Sequence, residues 1–316
     1  MNAQQENAYP HDPRDWGRWG SEDQIGRANL LTPEMTRTVA GEIQTGRRYS
    51  LALPIRGASG DPCFPGREPA SHAIGSHEGA YGDGSASPGA GGLRYVDDTL
   101  SIHCHGTTHM DALGHTYAGG TLWNGIPSSA AVGGLERAGI DALAQCGVVA
   151  RAVLVDVPAS KGRPHLAMRE EICLADIESA LWRQDTALKP GDALIIRTGI
   201  FKVFYEQGPD AFNADLDEPG LVYEPALVSF LAENDVVALG TDTMANERPF
   251  SETLNAAYPL HITLQHNLGV IFMESLWLEE WAADCEADRR YSAFLIAAPL
   301  RIVQGSAAPM NPIVIK

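Results

Sequence analysis

His103, His105, His109 and His115, four of the ten histidines, surround Asp111 in the single run HCHGTTHMDALGH. Imidazole and carboxylate are ligands that zinc, manganese and iron accept. The spacing then restricts how the chain runs. On a helix His105 and His109 share a face, but Asp111 points about 160° away from His109. On a strand residues 105, 109, 111 and 115 all face one side. A straight strand, however, separates His105 from Asp111 by roughly 20 Å at about 3.3 Å per residue. Gathering these side chains on one ion therefore requires a bend, which Gly106 allows and the hydroxyls of Thr107 and Thr108 can support. A plain solvated segment is the simplest alternative, and the density of histidines around one Asp argues against it. A closed structural zinc site is the second alternative. Such sites are often rich in thiolate, and Cys104 has the wrong parity to join the set.

Charge and motif content narrow the function. The net charge of −17 disfavours nucleic acid, whose backbone rewards clustered Lys and Arg, and equally an anionic membrane surface. The chain has 316 residues, 44% hydrophobic and 20% charged, as in a soluble globular protein with a sizeable core. No run reaches the roughly 18 apolar residues of a membrane span, and the opening MNAQQENAYPHDPRDW lacks the pattern of a leader peptide. Five scattered cysteines without a C-x-x-C pair make neither a disulfide framework nor a thiolate zinc site. The expectation is a reduced, cytoplasmic protein. No G-x-G-x-x-G follows a strand and no Walker loop occurs, so nucleotide binding has no support. The lack of a G-x-S-x-G elbow removes the serine-hydrolase reading.

No internal repeat is visible. The sharpest shift in composition is the Gly/Ser/Pro-rich stretch 57–92, which reads equally as a linker or as a long loop flanking a site. Elsewhere helices and strands intersperse without a regular βαβ beat, so the pattern predicts a mixed α/β fold. Thr32 caps a helix from Pro33 to about Glu42. Further helices are expected over Ala175–Leu188 and Glu224–Asn234. Strands are expected over Arg151–Val157, Ala193–Arg197 and Val236–Leu239, with a late one over Phe294–Val303 broken at Pro299.

The run from His105 to His115 resembles the H-x-G-T-H-x-D-x-P-x-H signature of the cyclase-like metal hydrolases, a family that includes bacterial kynurenine formamidase and isatin hydrolase. Thr107 stands where the signature has Gly, and Leu113 where it has Pro. The resemblance continues along the chain. Trp16-Gly-Arg-Trp19-Gly with Gly26, Asn29 and Leu31-Thr-Pro-Glu34 looks like the opening of the longer members. Lys189-Pro-Gly-Asp192 through Gly199, and the tail Pro299 through Pro312, also look like family segments. Pro259-Leu-His261 and Gly269 through Glu274 resemble the family's second metal-binding pair.

The resemblance implies a single domain over 1–316 with the swivelling β/β/α sandwich fold, and a homodimer or homotetramer. It implies that His105, His109 and Asp111 hold one divalent ion, zinc or manganese. His261 and Glu274 would complete a second site, with Asp111 bridging. His115 would be the catalytic base, and Glu274 could share proton handling. The implied reaction is hydrolysis of an amide, formamide, lactam or lactone in a small cyclic or aromatic molecule. Metal-dependent ring closure of a polyketide-like chain, or metal or ligand binding without catalysis, are the alternatives. Trp16 and Trp19 would line an aromatic substrate pocket or simply anchor the opening segment in the core. His266, off the helical face of His261, has no expected role.

Overall fold

A computed structural model describes residues 8–57, 60–214 and 216–316. The first part of the polar opening and two positions of the 57–92 stretch lie outside the described residues. Nine strands form one sheet: Arg48–Ser50 (β1), His109–Asp111 (β2), Val148–Asp156 (β3), Ala193–Arg197 (β4), Ala238–Thr241 (β5), Ile271–Glu274 (β6), Ser292–Ala297 (β7), Ala307–Pro309 (β8) and Ile313–Ile315 (β9). Their order across the sheet is β1-β9-β7-β3-β4-β5-β6-β2-β8. The four central strands, β3 to β6, run parallel, and every other pairing is antiparallel.

The apolar content of the central strands follows from that position, because a parallel sheet is covered on both faces. Side chains alternate between two cores. Ala150, Ala152, Leu154, Ala193, Ile195, Ile271 and Met273 enter one core, with Trp123 and Trp281. Val153, Val155, Leu194, Ile196, Val270 and Phe272 enter the other. The second core is closed by the apolar faces of helices Leu174–Arg183 and Pro225–Glu233. The mixed α/β expectation holds.

The opening segment is tied down by one buried cation. Arg27 is 1% exposed and donates to the carbonyls of Leu231, Val236 and Leu268 at 3.1–3.3 Å, with Asp15 at 2.9 Å. This clasp depends on Gly26 and Gly269 touching through their backbones. A Cβ on Gly269 would lie 2.9 Å from the Gly26 Cα.

Several sequence-based boundaries move. The first helix is Pro33–Val39, followed by a tighter 3-10 turn Ala40–Glu42, with Thr32 Oγ1 accepting from the Met35 N–H. The helix expected over Ala175–Leu188 ends at Arg183, because Asp185 turns left-handed (φ 49°). The strand expected over Val236–Leu239 is Ala238–Thr241; Val236 and Val237 instead bond to Leu231 and Asp192 on the way in. The late strand stops at Ala297. Beyond Pro299, which has no N–H for a ladder, the chain turns through Ile302 N–H to Leu300 O (2.9 Å). The 57–92 stretch carries a strand, Ser71–Ile74, paired with Asp98–Ser101, and a short helix, Glu78–Asp83. Among the described residues no helix is long and apolar enough to cross a membrane.

Candidate metal centre

β2 places the central ligands. Met110 enters the first core, so alternation turns His109 and Asp111 to the opposite face. Glu274 lies directly across from His109 in the antiparallel register of β2 with β6. His105 reaches the same point because the chain bends before the strand. The Gly106 N–H bonds to His103 O at 2.7 Å, and a Cβ at Gly106 would sit 3.0 Å from that oxygen. His261 opens a π-helical turn, His261–His266, a rare form often found at functional sites.

Thr108 holds the bend to the sheet. Its Oγ1 accepts from Leu53 N–H at 2.8 Å and donates to Ser275 O at 2.5 Å. Thr108→Val keeps the shape but strands a buried donor and a buried carbonyl. At about 1–3 kcal/mol per unsatisfied group, urea unfolding should show a loss of about 2–4 kcal/mol. A loss below about 1 kcal/mol would mean that the bend does not rest on this hydroxyl.

Two sets of ligand atoms converge. His105, His109 and Asp111 form one, and Asp111, His261 and Glu274 the other, each within 4.8 Å. The separations are 3.4 Å for His105 Nε2 to Asp111 Oδ1, 3.5 Å for His109 Nε2 to the same oxygen, and 3.3 Å for His109 Nε2 to Glu274 Oε2. His261 Nε2 lies 3.5 Å from Glu274 Oε1. These are long for N–H···O bonds. Within each set, separations of 3.4–3.5 Å are close to the roughly 3.3 Å between ligand atoms that would each lie about 2.05 Å from one ion, and the His109–Glu274 pair links the two sets. Moreover, His105 Nε2, His109 Nε2 and both oxygens of Asp111 are buried without a hydrogen-bond partner among the described residues. Four orphaned polar atoms aimed at one point cost several kcal/mol unless something fills it. The donor set is of the kind that zinc and manganese accept, so the residues present fit a divalent ion.

The outer contacts set the tautomers. His109 Nδ1 donates to Thr107 O at 2.7 Å, and His261 Nδ1 donates to Glu247 Oε1 at 2.6 Å, which leaves each Nε2 for the ion. Arg67 donates to His105 O at 2.7 Å, and Asn246 Nδ2 donates to Glu274 Oε1 at 3.2 Å. Burial drives the His105 imidazole down to about 3. Burial also opposes the charged forms of His109 and His261, but their carboxylate neighbours outweigh it and hold both up at about 10. The protons drawn there compensate Asp111 and Glu274, and a dication would displace them.

His115 belongs to neither ligand set. Its ring centroid lies 4.3 Å from that of His105 and 6.4 Å from that of His261. Burial lowers its pKa, which favours the uncharged imidazole beside the cluster. Trp16 and Trp19 are not brought to the cluster. The Trp16 indole donates to His266 O at 2.8 Å, while Trp19 packs 6.4 Å from Trp123 on the first core. His266 is held structurally, by Asn267 Oδ1 at 2.9 Å and Thr121 O at 2.8 Å. Sequence reasoning missed Glu247, Arg67 and Asn246. They lie in irregular segments, Arg67 beside Glu68 and Asn246 and Glu247 beside Arg248, with no spacing to mark them as site residues.

Beside the cluster lies an open cavity of about 140 Å³, walled by Phe64, Leu216, Glu218, Met244, Glu247 and Tyr258 among others. Glu247 and Tyr258 connect it to the centre. One holds His261, and the ring of the other lies 5.5 Å from the His261 ring. Phe64 comes from the 57–92 stretch.

Residues 49–248 match a family model described as "Putative cyclase". The crystal structure of a novel cyclase is 36% identical to the chain, with a TM-score of 0.88, over 96% of this chain and 99% of the other. Isatin hydrolase A from Ralstonia solanacearum is 21% identical, with a TM-score of 0.62, over 90% and 98% of the two chains. An isatin hydrolase bound to the product analogue thioisatinate is 19% identical, with a TM-score of 0.59, over 91% and 97%. At that identity the two hydrolases share the fold with this chain. No curated protein matches it.

Proposed function

The chain belongs to the cyclase family, and from that premise we propose that it is a metal-dependent hydrolase of a small amide, lactam or lactone. The observation that carries this reading is the set of four buried, unpartnered ligand atoms with the His115 imidazole beside them. His105, His109 and Asp111 would hold one ion, and Asp111, His261 and Glu274 a second, zinc or manganese. When bound, such an ion supplies Lewis acidity toward water and the acyl oxygen.

The chain's own groups do the rest. His115 takes a proton from the attacking water and returns it to the leaving atom, a task suited to a neutral imidazole. One water is consumed: a C–O bond forms at the acyl carbon, the bond to the leaving N or O breaks, and the leaving atom gains the proton. Glu274 is committed to the two histidines and Asn246. Its part in proton movement is secondary to that of His115.

Likeness to the 36%-identical cyclase favours a second reading, ring closure of a longer chain by the same acid and base. The size of the cavity favours hydrolysis instead. A volume of about 140 Å³ is close to the roughly 150 Å³ cavity that admits one benzene ring, and short for an extended chain. As further parts of the proposal, the five unpaired cysteines fit a reducing, cytoplasmic setting, and the protein works as a homodimer or homotetramer.

Elemental mass spectrometry on protein purified without chelator is expected to find close to two equivalents of metal per chain. Turnover of isatin or of simple lactones should vanish on chelation and return with zinc or manganese. A protein that holds no metal and takes up neither ion would overturn the reading.

A further inference from the structure

A second cavity, of about 240 Å³, is walled by residues of the opening segment, the 118–121 turn and the end of the π-helical turn. It shares no wall residue with the cavity beside the metal centre. Most of the polar groups in this wall are already engaged. The Tyr9 O–H donates to Ala257 O at 2.8 Å, the Trp16 indole to His266 O at 2.8 Å, and Asn267 Nδ2 to Pro10 O at 2.9 Å. Both ring nitrogens of His266 are taken, by Asn267 Oδ1 and Thr121 O.

Arg14 is the exception. Its Cζ lies 4.0 Å from the centroid of the Trp16 ring, a cation–π contact that holds the guanidinium in the wall. Nη2 donates to His11 Nδ1 at 3.0 Å. That nitrogen of His11 therefore carries no proton, and its Nε2–H is a further donor at the cavity. Nε of Arg14 is buried without a partner, whereas Nη1 is accessible and equally without an acceptor among the described residues. No carboxylate among the described residues pairs with Arg14, in a chain of 40 acidic and 23 basic residues, although Arg18 nearby is held by both Asp15 and Asp235. The positive charge is felt inside the wall. Burial lowers the His266 pKa, its bonds to Asn267 and Thr121 oppose this, and Arg14 and His11 add to the fall.

We propose that this cavity is a binding site for a small apolar carboxylate, a single ring or short chain whose anionic head accepts from Arg14 Nη1 while its body lies against Tyr9 and Trp16. The volume sets the size. A cavity of roughly 150 Å³ admits one benzene ring, so about 240 Å³ holds a ring with its carboxylate. The unpaired cation sets the charge. The engaged wall sets the body, because a second polar group would lose water there and find no partner. The site uses neither the metal ligands nor His115.

The metal-loaded protein is titrated at about pH 7.5 and low salt, by calorimetry or ligand-observed NMR. The probes are cyclohexanecarboxylate, hexanoate, the neutral cyclohexanecarboxamide and inorganic phosphate. Wild type is expected to bind each carboxylate at least about tenfold more tightly than the carboxamide or phosphate, the worth of one charge-assisted hydrogen bond. Arg14→Gln should remove that preference, and Arg14→Lys should keep part of it. Ala118→Phe, which adds bulk to the cavity and leaves Arg14 in place, should abolish carboxylate binding without loss of metal. Carboxylate binding that survives in Arg14→Gln or Ala118→Phe, as it would on the metal centre, overturns the proposal. So does wild type that binds the carboxamide or phosphate as well as the carboxylates, or that binds none of the four.

Discussion

His115→Ala is expected to lower kcat/KM of the metal-loaded protein by about 10²–10⁴, the usual worth of a positioned general base, while metal content stays at the wild-type level. The separation of these two readouts follows from the geometry. His115 is close enough to the cluster to serve a reaction there, with its ring centroid 4.3 Å from that of His105, yet it joins neither group of converging ligand atoms. Its backbone is fixed by a turn, the His115 N–H bonding to Ala112 O at 2.9 Å, so the truncation removes the imidazole without releasing the loop. Burial favours the uncharged ring, the form that accepts a proton. If His115→Ala loses metal instead, the residue is a ligand, and the proton-transfer role passes from it.

Asp111→Asn should have the largest effect on metal itself. Asp111 is the only side chain shared by the two ligand sets found among the described residues, and it is completely buried. The amide keeps the volume but removes the charge that opposes an ion's and presents an NH₂ toward one of them. Changes at groups that merely orient ligands cost 10–100-fold in affinity, so loss of a shared ligand should exceed about 100-fold and empty both positions. Wild type should gain about 2.7 kcal/mol of stability when metal is supplied at a hundred times its dissociation constant, and Asp111→Asn should gain nothing measurable. Glu274→Gln serves as the comparison and should weaken the His261 position most. Wild-type metal content in Asp111→Asn would rule out a shared carboxylate.

The legible parts of this molecule were those whose cause is local. Thr32 caps the first helix because a hydroxyl placed before Pro33 needs only the next turn to bond. The runs at β3 and β4 read as buried strands because parallel strands carry apolar residues on both faces. The bend at Gly106 followed from the distance a straight strand would impose, and the structure has that bend. Endings were harder. Asp185 stops a helix whose apolar spacing continues to Leu188, since one left-handed residue outweighs the pattern. Harder still was Glu247. Glu247 precedes His261 by 14 positions and meets it only after the chain doubles back, and nothing in the local sequence sets it apart from a solvated acid. The resemblance placed Glu274 with His261; that Glu274 also lies across from His109 is a property of sheet register, which neither the resemblance nor residue patterns gave.

That register has a consequence for how the protein is made. His105, His109 and Asp111 leave the ribosome early and together, whereas His261 and Glu274 are among the later residues to emerge. β2 is flanked only by strands that follow it by more than 150 positions, so the early triad has no sheet to lean on until β6 and β8 have been synthesised. A nascent or truncated chain can therefore present three loose ligands, while the shared geometry exists only in the finished one. Joint filling of the two positions would thus report that β6 has joined β2, not merely that the early triad has been made.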